Sequence, residues 1–279
     1  MPSVPCAPPA DRDLGSASMI EPSEDHPLRI TVEDRVATIT LHRPEVRNAI
    51  DPAMRRGIQS SFDDLEADDG VDVLVLTGAD PAFCAGLDLR LLGEDSSQLL
   101  RQGGGGSSSP FPPRTKPLIG AINGAAITGG FELALNCDFL VASERAVFAD
   151  THARVGVMPG WGLTALLADA VGRTRAREIS LTGNFVSAEQ ALAWGLVNRV
   201  VPHGELLSTV HGIATDIVGN DQVGVRRMLA TYAAQSEADL AEAWALETAG
   251  AREFAETVEP GAEVEARRQG IIERGRRQI

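Results

Sequence analysis

The stretch RTKPLIGAINGAAITGGFELALNCDFLVAS, from Arg114 to Ser143, decides the fold. Its first part, PLIGAING, is a short apolar run closed by glycine, the pattern of a strand buried on both faces. GGFELALNC then has the pattern of a helix start, and DFLVAS has the pattern of a second strand. Strand, helix and strand in succession indicate an α/β fold, with a glycine turn at Gly129 between sheet and helix.

The segments on either side extend this alternation. LRITVED and VATITLHRP predict a hairpin, and VDVLVLTG predicts another strand buried on both faces. Asp51 followed by Pro52 predicts the N-cap and first turn of a helix that reaches about Ala67. After Gly160 the chain turns helical, in four segments that glycines close or closely follow. Residues 1–27 lack apolar periodicity and are expected to form a disordered tail.

Charge excludes two classes of partner. The 279 residues contain 25 Lys and Arg against 39 Asp and Glu, a formal net charge of -14. Phosphate backbones and anionic membrane surfaces require clustered positive charge, so neither nucleic acid nor a membrane is expected as a partner.

The cysteines and the hydropathy predict a cytoplasmic protein. Cys6, Cys84 and Cys137 are odd in number and show no CxxC spacing, which favours reduced thiols over disulfides or a zinc site. No apolar run is long enough to span a bilayer, and the first residues do not read as a signal peptide. We therefore expect a cytoplasmic protein without a bound metal.

Two glycine-containing turns are the candidate functional features, namely PAFCAGLDL (81–89) and NGAAITGGFELAL (123–135). Each follows a buried strand and opens into a helical pattern, which leaves backbone N–H groups unpaired at the helix start. Two such donors that converge on one point make an oxyanion hole, although ordinary strand-to-helix turns have the same composition. The motifs GxGxxG, GK[ST], GxSxG and HExxH are absent, which disfavours dinucleotide, P-loop, serine hydrolase and zinc protease sites.

From Leu28 to Val201 the sequence resembles the enoyl-CoA hydratase/isomerase, or crotonase, superfamily. Besides the Arg114–Ser143 block, the resemblance rests on four motifs in family order: LHRPEVRNAI, VLTGADPAFCAGLDL, FADTHARVGVMPGWG and LTGNFVSAEQALAWGLVNRVV. It implies a core of repeated ββα turns over 28–201, followed by a helical oligomerisation region over 202–279. It also implies a homotrimer or a hexamer, and a place in fatty acid and lipid metabolism.

The resemblance implies a chemistry as well. The substrate would be an acyl-CoA thioester, with no cofactor beyond the coenzyme A of the substrate itself. Its carbonyl would be held by the backbone N–H groups of Leu87 and Gly129. The hydratases use two glutamates, of which the first corresponds to Glu132, while the position of the second is occupied by His152.

His152 leaves alternatives open. An imidazole is a competent acid or base near neutral pH, so a hydratase that adds water to a 2-enoyl-CoA is the leading hypothesis. A histidine hydrogen-bonded to Asp150 or to the backbone is an equally good interpretation of the residue. The alternative functions are an isomerase or thioester hydrolase that uses His152, and a non-catalytic acyl-CoA-binding paralogue.

Further residues are candidates for substrate contacts. Ala85 and Asp88 flank the first amide donor, and Trp161 would shorten the acyl pocket unless it is a core residue. Basic side chains are candidates for the phosphates of coenzyme A, against the alternative of ordinary solvated charges. They are Arg47, Arg114, Lys116, Arg267, Arg268, Arg274 and Arg276.

Overall fold

The computed structural model describes residues 18–90 and 109–233, together with the single positions 268, 272, 273 and 276. The first 17 residues of the predicted tail and most of the predicted C-terminal region beyond 233 lie outside the described residues. The division of the chain at 201/202 stays a prediction.

Short strands and helices alternate along the described chain. The strands are β1 (Ser18–Ile20), β2 (Leu28–Glu33), β3 (Val36–Leu41), β4 (Val73–Gly78), β5 (Ala82–Cys84), β6 (Leu118–Ile122), β7 (Ala125–Ile127), β8 (Phe139–Ser143), β9 (Val147–Ala149), β10 (Val186–Ser187) and β11 (Arg199–Val201). The helices are α1 (Pro52–Ala67), α2 (Gly129–Leu135), α3 (His152–Val155), α4 (Leu163–Val171), α5 (Arg173–Thr182), α6 (Ala188–Trp194) and α7 (Leu206–Val218), and residues 222–233 are also helical. None of the described helices combines the length and the hydropathy that crossing a bilayer requires.

Two sheets build the core. The larger one has seven strands in the order β1-β2-β3-β4-β6-β8-β11, antiparallel from β1 to β3 and parallel from β3 to β11. The smaller one has four strands in the order β10-β9-β7-β5, and β5, β7 and β9 are parallel. The pairs β6–β7 and β8–β9 each place a first strand in the large sheet and a second in the small sheet before a helix follows. The predicted class, a spiral of ββα turns, is confirmed.

The central strands are buried on both faces, as their continuous apolar runs predict. In β4, Leu74 and Leu76 belong to the main hydrophobic cluster, which also contains residues of α1. Val73 and Val75 point to the other side, into a second cluster with Leu206 and other residues of α7. The large sheet is therefore covered by helices on both sides, which excludes water from its parallel hydrogen bonds.

Helix α1 is closed at both ends by side chains. Asp51 accepts a hydrogen bond from the backbone N–H of Met54 at 2.7 Å, which confirms the predicted N-cap. At the other end Lys116, the single lysine of the sequence, donates from Nζ to the carbonyl oxygens of Leu65 at 2.6 Å and Asp68 at 2.7 Å. Lys116 is only 1% exposed. Its assignment as a candidate phosphate ligand is wrong, because its ammonium group is buried and donates to two main-chain carbonyls.

The predicted tail is too long at its C-terminal end. Residues Ser18–Ile20 form β1 and pair antiparallel with β2, with Met19 opposite Thr31. Met19 and Ile20 remain exposed, so this strand buries little apolar surface. A segment without core residues can thus still pair through its backbone, which the apolar pattern does not reveal.

We expect Lys116→Met to lower the free energy of unfolding by about 1–3 kcal/mol, because the carbonyls of Leu65 and Asp68 would each lose the hydrogen bond from Nζ, and Asp68 O would keep only that from the N–H of Val71. Urea unfolding at neutral pH measures this. Arg29→Met is the matched control, since its ion pair with Glu21 is exposed and should change stability by less than about 0.5 kcal/mol. Equal effects of the two substitutions would contradict the capping role.

Candidate active site

Three chain segments meet at the carboxyl ends of the small parallel strands. β5, β7 and β9 lie side by side, with Cys84 opposite Ala126 and Ile127 opposite Ala149. The chain therefore leaves the three strands at neighbouring points. The exits lead to the predicted loop at Ala85–Asp88, to the start of α2 and to the start of α3.

The two predicted amide donors belong to neighbouring turns. The backbone N–H of Ile50 donates to Gly86 O, and that of Asp88 donates to Ile50 O, so the N–H of Leu87 between them points away from Ile50. Gly129 is the first residue of α2, whose first helical bond runs from Glu132 N to Thr128 O. A methyl group placed on Gly129 would lie 3.6 Å from Leu87 N. The turns that contain the two amides are thus in contact with each other.

A pair of threonines supports the second turn. Thr128 has a φ of 54°, a left-handed conformation that is unfavourable for a β-branched residue. Its buried hydroxyl is hydrogen-bonded to that of Thr151, the residue before His152. This bond links the turn that presents the Gly129 amide to the start of α3.

Glu132 is held in a fixed orientation by backbone groups. Its carboxylate is buried, and Oε1 accepts hydrogen bonds from the N–H groups of Gly160 at 3.1 Å and Trp161 at 2.7 Å. The other oxygen, Oε2, lies 3.5 Å from Nε2 of His152. The structure therefore brings together Glu132 and His152, the two residues that the sequence assigns as the acid/base pair.

His152 lies between two carboxylates. Its ring Nδ1 is 2.7 Å from Oδ1 of Asp150, while Nε2 faces Glu132. Burial by itself lowers the pKa of His152, but the contacts with Asp150 and Glu132 outweigh it and raise the pKa to about 9. The imidazole is therefore protonated at neutral pH. The expected hydrogen bond between His152 and Asp150 is confirmed, while a role of His152 as acid or base stays a prediction.

The other predicted substrate contacts are engaged in the fold. The N–H of Ala85 donates to Arg47 O at 3.0 Å, and the buried carboxylate of Asp88 accepts from Arg90 at 3.2 Å. The ring of Trp161 is largely buried, with the guanidinium carbon of Arg55 at 5.6 Å from its centroid. A role of these residues in binding substrate stays a prediction.

Other chemistries find little support in the described residues. No group of three or more His, Cys, Asp or Glu side chains within 18–90 and 109–233 has the arrangement of a metal site. Burial raises the pKa of the Cys84 thiol to about 12, which keeps it protonated and unreactive. Arg114, a candidate for phosphate binding, instead forms a two-bond pair with Asp138 at 2.8 and 2.7 Å.

The groups that hold Glu132 and His152 in place are not predicted as such from the sequence. The amides of Gly160 and Trp161 orient Glu132, yet a backbone N–H has no residue signature by which a sequence could reveal it. The sequence predicts Asp150 only as a hydrogen-bond partner of a non-catalytic His152, although the spacing of two residues between them is itself a signal for a local side-chain hydrogen bond.

A ββα spiral in which a glutamate and a histidine are buried together near the ends of the short strands has the architecture of the crotonase-like fold. The family model described as Enoyl-CoA hydratase/isomerase matches residues 31–272. The chain belongs to the enoyl-CoA hydratase/isomerase family, which confirms the predicted family and enzyme class.

Individual relatives agree with this. The chain is 40% identical over 212 residues to "Probable enoyl-CoA hydratase 1, peroxisomal" of Arabidopsis thaliana, with 76% of this chain and 80% of the relative covered. The crystal structure of an enoyl-CoA hydratase from Mycobacterium tuberculosis H37Rv is 49% identical and superposes with a TM-score of 0.76, covering 83% of this chain and 98% of that one. A monofunctional enoyl-CoA isomerase from M. smegmatis is similar at 34% identity and a TM-score of 0.61, covering 73% and 90%.

We expect the charge of His152 to appear in the pH dependence of stability. Its pKa is about 9 in the folded state against 6.5 ordinarily, so the stabilisation is complete below pH 6.5 and is lost as the pH rises through 9. Urea unfolding at several pH values should therefore show that the free energy of unfolding falls more steeply between pH 6.5 and 9 for the parent than for His152→Gln. Parallel pH profiles of the two proteins would show that His152 is neutral in the fold.

Proposed function

We propose that the protein adds water to the double bond of a 2-enoyl-CoA thioester. The observation that carries this is the buried pair of Glu132 and His152, 3.5 Å apart, beside the neighbouring amides of Leu87 and Gly129. Hydration requires a base for water, an acid for the α-carbon and hydrogen-bond donors for the thioester oxygen. In this proposal Glu132 is the base, His152 is the acid and the two amides are the donors.

The amides would carry the charge of the intermediate. When water attacks the β-carbon of the enoyl group, the electrons of the double bond move onto the thioester oxygen. The N–H groups of Leu87 and Gly129 would donate to that oxygen and form an oxyanion hole. Donors fixed in advance by a strand bridge and a helix start need little reorganisation as the charge develops.

The protons would be moved by the side chains. Glu132 takes a proton from the attacking water, and the imidazolium of His152 gives its Nε2 proton to the α-carbon. The product is the 3-hydroxyacyl thioester, with Glu132 protonated and His152 neutral. Transfer of the proton from Glu132 to Nε2, across the 3.5 Å that separates them, restores the starting state.

The charge state of His152 separates this reaction from its alternatives. Isomerisation or thioester hydrolysis with His152 as the base requires a neutral imidazole at the start. The two carboxylates that raise the pKa of His152 to about 9 favour the protonated acid instead. The hydratase assignment is therefore better supported than the alternatives that begin with His152 as base.

Crotonyl-CoA tests the proposal directly. The parent protein should remove the ultraviolet absorbance of the conjugated thioester while the thioester bond stays intact by mass spectrometry. Glu132→Gln should lower kcat by about 10²-fold or more because the base for water is lost, with KM little changed. Gly129→Ala should lower kcat/KM by a similar factor, because its methyl would lie 3.6 Å from Leu87 N, where the thioester oxygen is proposed to bind.

Gly212→Ala is the matched control for the glycine variant. Gly212 lies in α7, and no other group lies within 4 Å of the methyl that would be added. This variant should keep the parental rate and stability or gain slightly in stability. Retained thioester binding without turnover by the parent would contradict the hydratase assignment in favour of the binding-only paralogue, and parental turnover by Glu132→Gln would remove Glu132 from the mechanism.

We also propose the homotrimer or hexamer that the family resemblance implies. Support comes from helical residues 222–233, where Val223, Met228 and Tyr232 are exposed by 76%, 59% and 71%. Light scattering at micromolar concentration should give a mass of three or six chains, whereas a stable folded monomer would contradict the proposal. The cytoplasmic location stays a prediction.

A further inference from the structure

Asp150 lies behind His152, on the side of the ring away from Glu132. Its oxygen Oδ1 accepts two hydrogen bonds from the same residue, one from the backbone N–H of His152 at 3.1 Å and one from the ring Nδ1 at 2.7 Å. Asp150 is 2% exposed. Because one oxygen binds both the backbone and the ring of His152, the rotation of the imidazole is restricted.

The surroundings keep Asp150 ionised. Burial alone would raise its pKa, but bonds from the side chains of His152 and Ser180 and the charge of His152 hold the pKa below its usual value. Ser180 belongs to α5, which packs against α3. The charged side chains of α5, namely Arg173, Arg175, Arg177 and Glu178, are exposed. The contacts that raise the pKa of His152 are those with Asp150 and Glu132, and Arg154 is the other charged side chain of α3.

We propose that Asp150 is a positioning residue, which keeps a proton on Nδ1 of His152 so that Nε2 is the nitrogen that exchanges protons with the substrate and with Glu132. This inference rests on the proposed hydration. An ionised carboxylate can accept hydrogen bonds but cannot donate them. The 2.7 Å contact between Asp150 Oδ1 and His152 Nδ1 therefore requires the proton on Nδ1. The nitrogen that changes its protonation is then Nε2, which faces Glu132.

The proton balance follows from this arrangement. During hydration the Nε2–H bond breaks as the C–H bond at the α-carbon forms, and the electron pair stays on Nε2. The Nδ1 proton remains on the ring and does not pass to Asp150. The proton that water lost to Glu132 then moves to Nε2 and closes the cycle.

Asp150→Asn tests the inference without any substrate. In the full chain labelled with 15N-histidine, the resonances of His152 are assigned by their loss in His152→Gln and followed against pH. In the parent His152 should titrate near its pKa of about 9, and in Asp150→Asn this pKa should fall toward its ordinary value of about 6.5. An unchanged titration in a folded variant would overturn the proposal.

Kinetics give an independent readout. With crotonyl-CoA, the alkaline limb of kcat should move to lower pH in Asp150→Asn, so that the deficit relative to the parent is at least about ten-fold larger at pH 8 than at pH 6. KM should change by less than about three-fold, because the carbonyl is held by backbone donors. A uniform loss of rate at every pH would indicate a merely structural role.

Asp72→Asn is the matched control. Asp72 is also a buried carboxylate, but it pairs with Arg35 at the amino end of β4, the opposite end of the strand from the turn that leads to β5. This substitution should lower stability and leave the titration of His152 at its parental value. A shift as large as that of Asp150→Asn would show that the effect is not specific to Asp150.

Asp150→Glu decides the question if the asparagine variant does not fold. It keeps the negative charge but moves the carboxylate by one methylene group. The alkaline limb should then stay near that of the parent while kcat falls about ten-fold, and a parental kcat would overturn the positioning role. If the parent hydrates no enoyl-CoA, the proposed function fails, yet the titration of His152 still decides the inference about Asp150.

Discussion

The parallel pairing of three very short strands, β5, β7 and β9, is the constraint on which the site depends. Adjacent parallel strands end side by side, so the turns that follow them are neighbours in space although they are far apart in sequence. The Leu87 amide follows the first, Gly129 and Glu132 follow the second, and His152 follows the third. At Gly130 even a methyl group would clash with the carbonyl oxygen of Cys84, so glycine permits the close approach of α2 to β5.

The second constraint is the balance of buried charge. Glu132 and Asp150 are both buried, and two ionised carboxylates without compensation would be costly in that position. The imidazolium of His152 lies between them, and neutral donors complete the arrangement: the amides of Gly160 and Trp161 on Glu132, and Ser180 on Asp150. The contacts with Asp150 and Glu132 raise the pKa of His152 and so favour its protonated form. Because these contacts exist only in the folded chain, the protonation of His152 is linked to folding.

Much of this could be predicted from the sequence where the signal lies in side chains over several residues. The continuous apolar runs of β4 and β6, the N-cap at Asp51 and the glycine-terminated helices α4 to α6 are all found as predicted. The strands β5 and β7 contain only three residues each, too few for a pattern, and they lie in segments that the sequence predicts as turns. The interactions of Trp161 with Glu132 and of Lys116 with α1 use backbone atoms, which residue identity does not specify.

The histidine at the position of the family's second glutamate is not an exchange of one acid for another. His152 gives the site a positive charge, and Asp150, 2.7 Å from Nδ1, is compatible with that charge. A glutamate at position 152 would instead place three carboxyl groups in one buried cluster, where mutual repulsion forces at least one of them to take up a proton. That proton would be shared among the three groups rather than aimed at the substrate. In the proposed reaction His152 is therefore the proton donor, and Asp150 keeps its ring protonated at Nδ1 and fixed in orientation.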